Sequence, residues 1–219
     1  MQAKGPIEIN RSKATTREPL GIRRYMRSLY SSASDSPYPP RMETAVVLPI
    51  VGRGHDSGGR SVDIDALFER WDVSAAQTNP GMPLHVTLMA PFIDSAGLDD
   101  SVIERLQRVI AGRHPFVCSL GEVRTFEGEP TRAWLAPQPE SVFVDMTRAI
   151  MEAFPGLVPY GGEHPEIRPH VSVAKGSSFD LQKTIAEISN LLPISVMIDS
   201  YAIYTLDSRR WNLTGSHPF

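Results

Sequence analysis

The sequence has little of what several large classes of protein require. Its 219 residues include one cysteine, Cys118, which excludes a disulfide framework and a zinc site built from several cysteines. No apolar run reaches the roughly 18 residues of a membrane-spanning helix. Basic and acidic residues nearly balance, 22 against 25, whereas a general nucleic-acid coat needs a large basic excess. The 41% hydrophobic content instead indicates a globular domain with a proper core.

Charge is distributed unevenly along the chain. Residues 1–42 hold eight basic and three acidic residues, a net charge of +5, which leaves −8 on residues 43–219. The Ser- and Pro-rich end of the first segment indicates a flexible basic N-terminal extension. Its Arg- and Ser-rich composition has features of an organellar transit peptide, but Glu8 and Glu18 argue against one, and no apolar signal-peptide core precedes the domain. We therefore predict a cytoplasmic protein with one domain at 43–219.

Apolar periodicity predicts helices and strands in alternation over 43–219. Residues spaced at three and four positions predict four helices, beginning at Asp63 and covering 98–112, 142–154 and 179–192. Runs rich in Val, Ile and aromatic residues predict strands at 44–51, 116–123, 131–137, 194–206 and from Trp211. The Gly-rich segment 52–60 is predicted to be a loop. The class is therefore α/β or α+β with a substantial sheet.

One motif occurs twice in the same setting. PLHVTLMA (83–90) aligns with RPHVSVAK (168–175), and each copy is followed by a predicted helix and then a strand. The copies lie 85 residues apart. A third match, His55-Asp56-Ser57, lies in the predicted loop and is interpreted as chance. The repeat indicates two lobes related by a pseudo-two-fold axis, with the motifs meeting at the axis.

Strand geometry gives each motif a chemical meaning. Alternation places His85 with Thr87, and His170 with Ser172, about 6–7 Å apart on one face, while the intervening valines face a core. Two imidazoles supply an acid and a base near neutral pH, and two hydroxyls supply donors for phosphoryl oxygens. This is the set of groups that hydrolysis of a phosphodiester needs. The same alternation predicts that Lys175 lies on the opposite face.

PLHVTLMAPF together with YGGEHPEIRPHVSVAKG resembles the two-histidine (2H) phosphoesterase superfamily, in particular its 2'-5' RNA ligase-like branch. The resemblance runs from about Glu43 to Phe219. It implies a bilobal, duplicated α+β fold, two pseudo-two-fold-related sheets with outer helices, and a central cleft lined by the two motifs. It also implies metal-independent chemistry on 2',3'-cyclic or 2'-5' phosphodiesters, with His170 as the base and His85 as the acid, although the symmetry of the motifs permits the reverse.

Two further residues are candidates for substrate binding, each with an ordinary structural alternative. Arg168 reaches the catalytic face if the second motif strand extends that far, where it would contact phosphate; otherwise it forms a surface salt bridge. The Tyr160 ring, beside Gly161 and Gly162, stacks on a base or covers the core. Trp134 is interpreted as a core residue rather than a stacking platform. Two histidines without further ligands do not make a zinc site.

The partner predicted from these residues is a small nucleotide or RNA-end phosphodiester, bound by a monomer without cofactor, metal or membrane. A Walker-type loop is missing, which argues against ligation driven by a nucleoside triphosphate. Two alternatives remain open. The cleft binds a nucleotide or RNA end without turning it over, or the same chemistry acts on a cyclic phosphate that is not RNA. Incubation with a panel of cyclic and 2'-5' linked substrates separates the three.

Overall fold

A computed structural model describes residues 43–67, 69, 79–110, 112–126, 131–162 and 166–219, with the backbone only at 178–180. The predicted extension at 1–42 therefore lies outside the described residues. In the described ranges, no helix is both long enough and apolar enough to cross a membrane.

The described residues form ten strands and three longer helices. The strands are β1 Thr44–Pro49, β2 Arg53–Asp56, β3 Ser61–Asp63, β4 His85–Met89, β5 Phe116–Phe126, β6 Thr131–Gln138, β7 Val171–Gly176, β8 Ile194–Ile198, β9 Ser200–Asp207 and β10 Arg210–Pro218. The helices are α1 Asp100–Ile110, α2 Glu140–Ala153 and α3 Ser178–Ser189. Residues 64–67 and 69 are also helical, where a first helix is predicted; Phe68 and Trp71 of its apolar face lie outside the described residues.

The strands form two antiparallel sheets, which confirms the α+β class. One sheet has four strands in the order β10-β9-β1-β4, and the other has six in the order β3-β2-β8-β5-β6-β7. The larger of two hydrophobic clusters among the described residues contains residues of both sheets, among them Leu48 and Val86 from the first and Leu135 and Val171 from the second. The helices add their predicted apolar faces to this core, as Leu106, Phe143 and Ile188 illustrate.

The predicted loop at 52–60 is wrong at its start. Residues 53–56 form β2, which pairs with β8 on one side and β3 on the other. Gly54 allows this pairing because a β-carbon there would lie 2.8 Å from the Ser195 carbonyl oxygen and 2.9 Å from two side chains of β8. Glycine at this position is thus needed for close packing between strands rather than for a turn.

The predicted strand at 194–206 is two strands in different sheets. The chain leaves the six-stranded sheet after β8 and enters the four-stranded sheet with β9, breaking at Asp199. The strands that follow the two motif helices, β5 and β8, are moreover neighbours in one sheet. The duplicated order of elements is therefore present, but the chain crosses between the sheets rather than completing one lobe before beginning the other.

Candidate active site

The two motif strands are the terminal strands of their sheets. The strand β4 ends the four-stranded sheet and β7 ends the six-stranded sheet, and these two edges contact one another. Each motif strand pairs on its inner side with a strand from earlier in the chain, β4 with β1 and β7 with β6. The repeated motifs are therefore brought together at the junction of the sheets, and charge on His170 affects the protonation of His85.

Both motif imidazoles are held by the same contact. His85 Nδ1 lies 2.7 Å from the Pro83 carbonyl oxygen, and His170 Nδ1 lies 2.9 Å from the Arg168 carbonyl oxygen. A carbonyl only accepts, so each Nδ1 carries the proton and donates it to the backbone two residues earlier. This contact fixes the tautomer and leaves each Nε2 as the nitrogen available to exchange a proton.

The two imidazoles differ in their surroundings. His85 is buried, whereas His170 is partly exposed. Burial lowers the pKa of His85 below the ordinary value; its bond to the Pro83 carbonyl raises the pKa in part, and the charge of His170 lowers it further. No compensating carboxylate contributes to this shift. Burial therefore favours the neutral form of the His85 imidazole.

Aromatic rings surround His170. The Phe126 and Trp134 rings meet the imidazole edge to face at centroid distances of 5.2 and 6.0 Å, and the Tyr160 ring lies 5.9 Å away at a tilt of 31°. Phe126 also stacks on Trp134 at 4.9 Å. Trp134 is only 3% exposed, so it packs beneath the site as a core residue and supports His170 without offering a free stacking face.

Tyr160 joins the two motifs. Its hydroxyl is hydrogen-bonded to Thr87, and its backbone N–H donates to the Ala90 carbonyl oxygen at 2.7 Å, while its ring faces His170. Burial raises the pKa of Tyr160 to about 12, so the hydroxyl stays protonated at neutral pH. The residue adopts a left-handed φ of 54°, which a non-glycine residue rarely does. The strained backbone conformation of Tyr160 thus places its ring and hydroxyl at the junction of the two sheets.

A β-bulge follows each motif at the same position. Leu88 is the extra residue in β4, between the pairs Val47↔Thr87 and Val46↔Met89. Val173 is the extra residue in β7, because Trp134 pairs with Ser172 and Ala133 with Ala174. In both strands the extra residue and its successor are buried, as a bulge allows by turning two consecutive side chains toward one side. The two copies of the motif are therefore alike in backbone geometry as well as in sequence.

The second bulge overturns the placement of Lys175. Simple alternation puts its side chain on the face opposite His170, but Lys175 pairs with Arg132, two residues from Trp134 on β6. Trp134 pairs with Ser172, so Lys175 shares the face of Ser172. The prediction is wrong because the extra residue at 173 shifts the parity by one.

The condition that placed Arg168 on the catalytic face is not met. Strand β7 begins at Val171, so strand alternation gives no direction for the Arg168 side chain. Its guanidinium is exposed and lies 3.5 Å from Glu166, which matches the surface salt bridge left open as the alternative. The backbone of Arg168 nevertheless belongs to the site, because its carbonyl orients His170. A phosphate contact by its side chain stays a prediction.

Sequence reasoning missed two contributors to the site. Phe126 lies on β5, beyond the predicted end of that strand at residue 123, so alternation was not applied to it. The carbonyl of Pro83 orients His85, and only the matching carbonyl of Arg168 two residues before His170 shows this to be a repeated device. Within the described ranges, no three histidine, cysteine or acidic side chains come together as a metal site would require.

A family model and several solved structures match the chain. A family model described as the 2'-5' RNA ligase superfamily matches residues 61–210. Among solved structures, Escherichia coli LigT complexed with phosphate is 11% identical, with 82% of this chain and 98% of that chain covered at a TM-score of 0.47. The protein TT0787 of Thermus thermophilus is 15% identical, with coverages of 81% and 97% and a TM-score of 0.47.

A structure described as a phosphoesterase is 12% identical, with 82% of this chain and 98% of that chain covered at a TM-score of 0.49. No curated protein sequence matches the chain. The family match covers more than half of the sequence, includes both repeated motifs, and confirms the resemblance drawn from them. The chain belongs to the 2'-5' RNA ligase superfamily.

Proposed function

We propose that the protein is a phosphoesterase that hydrolyses a 2',3'-cyclic or 2'-5' phosphodiester of a nucleotide or RNA end. Family membership supports a phosphoesterase or ligase-type activity. The observation that carries the finer proposal is the pair of equally held imidazoles, each with Nδ1 bound to a backbone carbonyl and Nε2 left for proton transfer. Such a pair supplies the acid and the base that the reaction needs.

The difference in burial assigns the roles. A base must be neutral and an acid protonated before the reaction, and the lowered pKa of His85 keeps it neutral. In this proposal His85 Nε2 takes a proton from the attacking water as its oxygen bonds to phosphorus. His170 Nε2 gives its proton to the leaving ribose oxygen as the P–O bond breaks. These are the reverse of the roles that the family resemblance implies, and they follow from the burial of His85.

The hydroxyls hold the phosphoryl group. Thr87 lies two residues beyond His85 on β4 and shares the face of its imidazole. His170 directly precedes β7, and its imidazole contacts the rings of Phe126 and Trp134, which lie on the face of Ser172. Donors placed at the non-bridging oxygens stabilise the charge that develops in the transition state. Tyr160, bonded to Thr87, sets the direction of that hydroxyl. Product release then yields a phosphomonoester and restores both imidazoles after one proton exchange with water.

Turnover of 2',3'-cyclic nucleotides and 2'-5' linked dinucleotides tests the proposal. His85→Ala and His170→Ala should each lower kcat by roughly 10²–10⁴-fold, the usual contribution of a general acid or base. His55→Ala is the matched control, because His55-Asp56-Ser57 repeats the motif pattern on exposed strand β2, away from the β4–β7 junction. Saturable binding without product in the unaltered protein, or full turnover in either motif variant, contradicts the proposal.

A further inference from the structure

The face of the six-stranded sheet that carries His170 and Ser172 continues across β5, β6 and β7 in two rows. The first row is Arg124, Trp134 and Ser172, which are paired across the strands. The second row is Phe126, Arg132 and Lys175. Because the rows are two residues apart on β5 and β6, they are separated by about 7 Å. The second row thus lies beside the proposed catalytic groups, at a distance that one nucleotide unit spans.

The second row places two cations opposite each other. Arg132 and Lys175 are direct cross-strand partners on this face, Arg132 exposed and Lys175 half-buried. Like charges directly opposite in a sheet are destabilising. They stand in a segment, residues 43–219, whose net charge is −8. A local pair of cations in an acidic domain favours an anion at this position, because a bound anion offsets the repulsion between them.

Phe126 connects this pair to the catalytic imidazole. Its half-buried ring touches His170 at 5.2 Å and covers Trp134 at 4.9 Å, while its backbone position pairs with Arg132. An aromatic ring that starts in the row of the two cations and reaches the imidazole offers a surface for one nucleoside, with a scissile phosphate at His170 and the next phosphate at the cations. Aromatic side chains bind such nucleosides by stacking or edge contact without reading their sequence.

We propose that Arg132 and Lys175 form a subsite for the phosphate that follows the reacting one, and that the substrate is therefore the end of an oligonucleotide rather than a free cyclic mononucleotide. This inference rests on the proposed function. Arg124, the cation of the neighbouring row, is not part of this phosphate subsite, because its guanidinium donates to the Glu122 carboxylate at 2.8 and 2.9 Å. The Arg132–Lys175 pair fits a single internucleotide phosphate.

Binding of unreactive product analogues tests the subsite separately from turnover. The probes are a 3'-phosphorylated mononucleotide and a trinucleotide with the same 3'-phosphorylated end. We expect the trinucleotide to bind at least about tenfold more tightly, as a charge-assisted phosphate contact provides. Arg132→Gln and Lys175→Gln should each remove most of this advantage and reduce the slope of log Kd against log salt by about 0.7. Arg132→Lys, which keeps the charge, should retain most of that slope.

The matched controls are Arg108→Gln in α1 and Lys183→Gln in α3, both exposed and off this sheet, which should leave both affinities and the salt slope unchanged. Equal affinity for the two probes, or a length advantage that survives the double variant, overturns the inference. Turnover of cyclic mononucleotides together with equal affinities would retain the proposed function and refute the subsite. A length-dependent affinity lost in both variants, without turnover of any probe, would retain the subsite and refute the phosphoesterase.

Discussion

The hydrogen bond between Tyr160 and Thr87 makes a measurable prediction about how the site is held. Tyr160→Phe removes this bond but keeps the ring against His170. A neutral hydrogen bond contributes about 1 kcal/mol net, which corresponds to a factor of about five in rate. We therefore expect kcat/KM for an oligonucleotide that ends in a 2',3'-cyclic phosphate to fall about fivefold, because the Thr87 hydroxyl is no longer aimed at the phosphoryl oxygen.

A double-mutant cycle distinguishes positioning from direct contact. Thr87→Val removes the hydroxyl at nearly constant volume and should cost about 10²–10³-fold, the usual loss of one transition-state donor. If Tyr160 acts through Thr87, then Tyr160→Phe should have no further effect in the Thr87→Val protein, and the coupling energy should be about 1 kcal/mol. Initial rates for the four proteins under one set of conditions provide the measurement.

The result that refutes this reasoning is an equal fivefold loss in both backgrounds, since additive effects would mean that the tyrosine hydroxyl touches the substrate itself. Tyr201→Phe is the control. Tyr201 is buried on β9, stacks on His217, and its hydroxyl has no hydrogen-bond partner within the described part of the chain. Removing that hydroxyl should leave kcat/KM unchanged.

The remaining predictions concern stability, pH and metal. Gly54→Ala should lower the free energy of unfolding by roughly 1–3 kcal/mol, because the new β-carbon meets the Ser195 carbonyl oxygen at 2.8 Å. Gly121→Ala should change it little, because no atom lies within 4 Å of the position of its new β-carbon. Equal denaturation midpoints for the two variants would contradict the packing argument. Because the pKa of His85 is lowered in the folded protein, the unfolded chain binds a proton at this residue more readily. The stability contributed by the neutral imidazole is therefore complete above about pH 6.5 and declines below it, by at most about 1.4 kcal/mol per pH unit. His85→Gln should make the free energy of unfolding depend less on pH between pH 7 and 5, and an unchanged slope would contradict this. Turnover should persist in a chelator such as EDTA, and its loss with recovery on adding one divalent metal would contradict proton transfer by imidazoles alone.

Much of the fold follows from periodicity, and the errors have identifiable causes. Helices α1 to α3 and strands β1, β5 and β6 lie where apolar spacing predicts them, because each buries one face in the core. The β2 strand was missed because its glycine, histidine and charged residues lack apolar alternation; its stability comes from pairing on both edges. The crossing at Asp199 was missed because β8 and β9 are both strongly apolar, and composition does not record which sheet a strand joins.

The positions of the four motif side chains follow from the repeat, but their surroundings do not. Alternation brings His85 with Thr87 and His170 with Ser172, and the edge positions of β4 and β7 bring the two pairs together. Side chains from β5, β6 and the turn at 159–162, outside both motifs, surround His170. His85 is buried and His170 is partly exposed, a difference that the matched motifs do not encode.

The bulges show why simple alternation is an unsafe guide in the two motif strands. In VSVAK the sequence is consistent with regular alternation, since alanine at 174 is as acceptable on an exposed face as on a buried one. The backbone instead places Val173 and Ala174 together in the core, and the same step occurs at Leu88 and Met89. Counted from each extra residue, Ala90 and Lys175 are at equivalent positions in the two copies, but Ala90 directly follows the end of β4 whereas Lys175 lies within β7. One copy therefore contributes a small side chain and the other a cation, and this difference between otherwise matched halves is the basis for expecting the polynucleotide to leave the cleft over the six-stranded sheet.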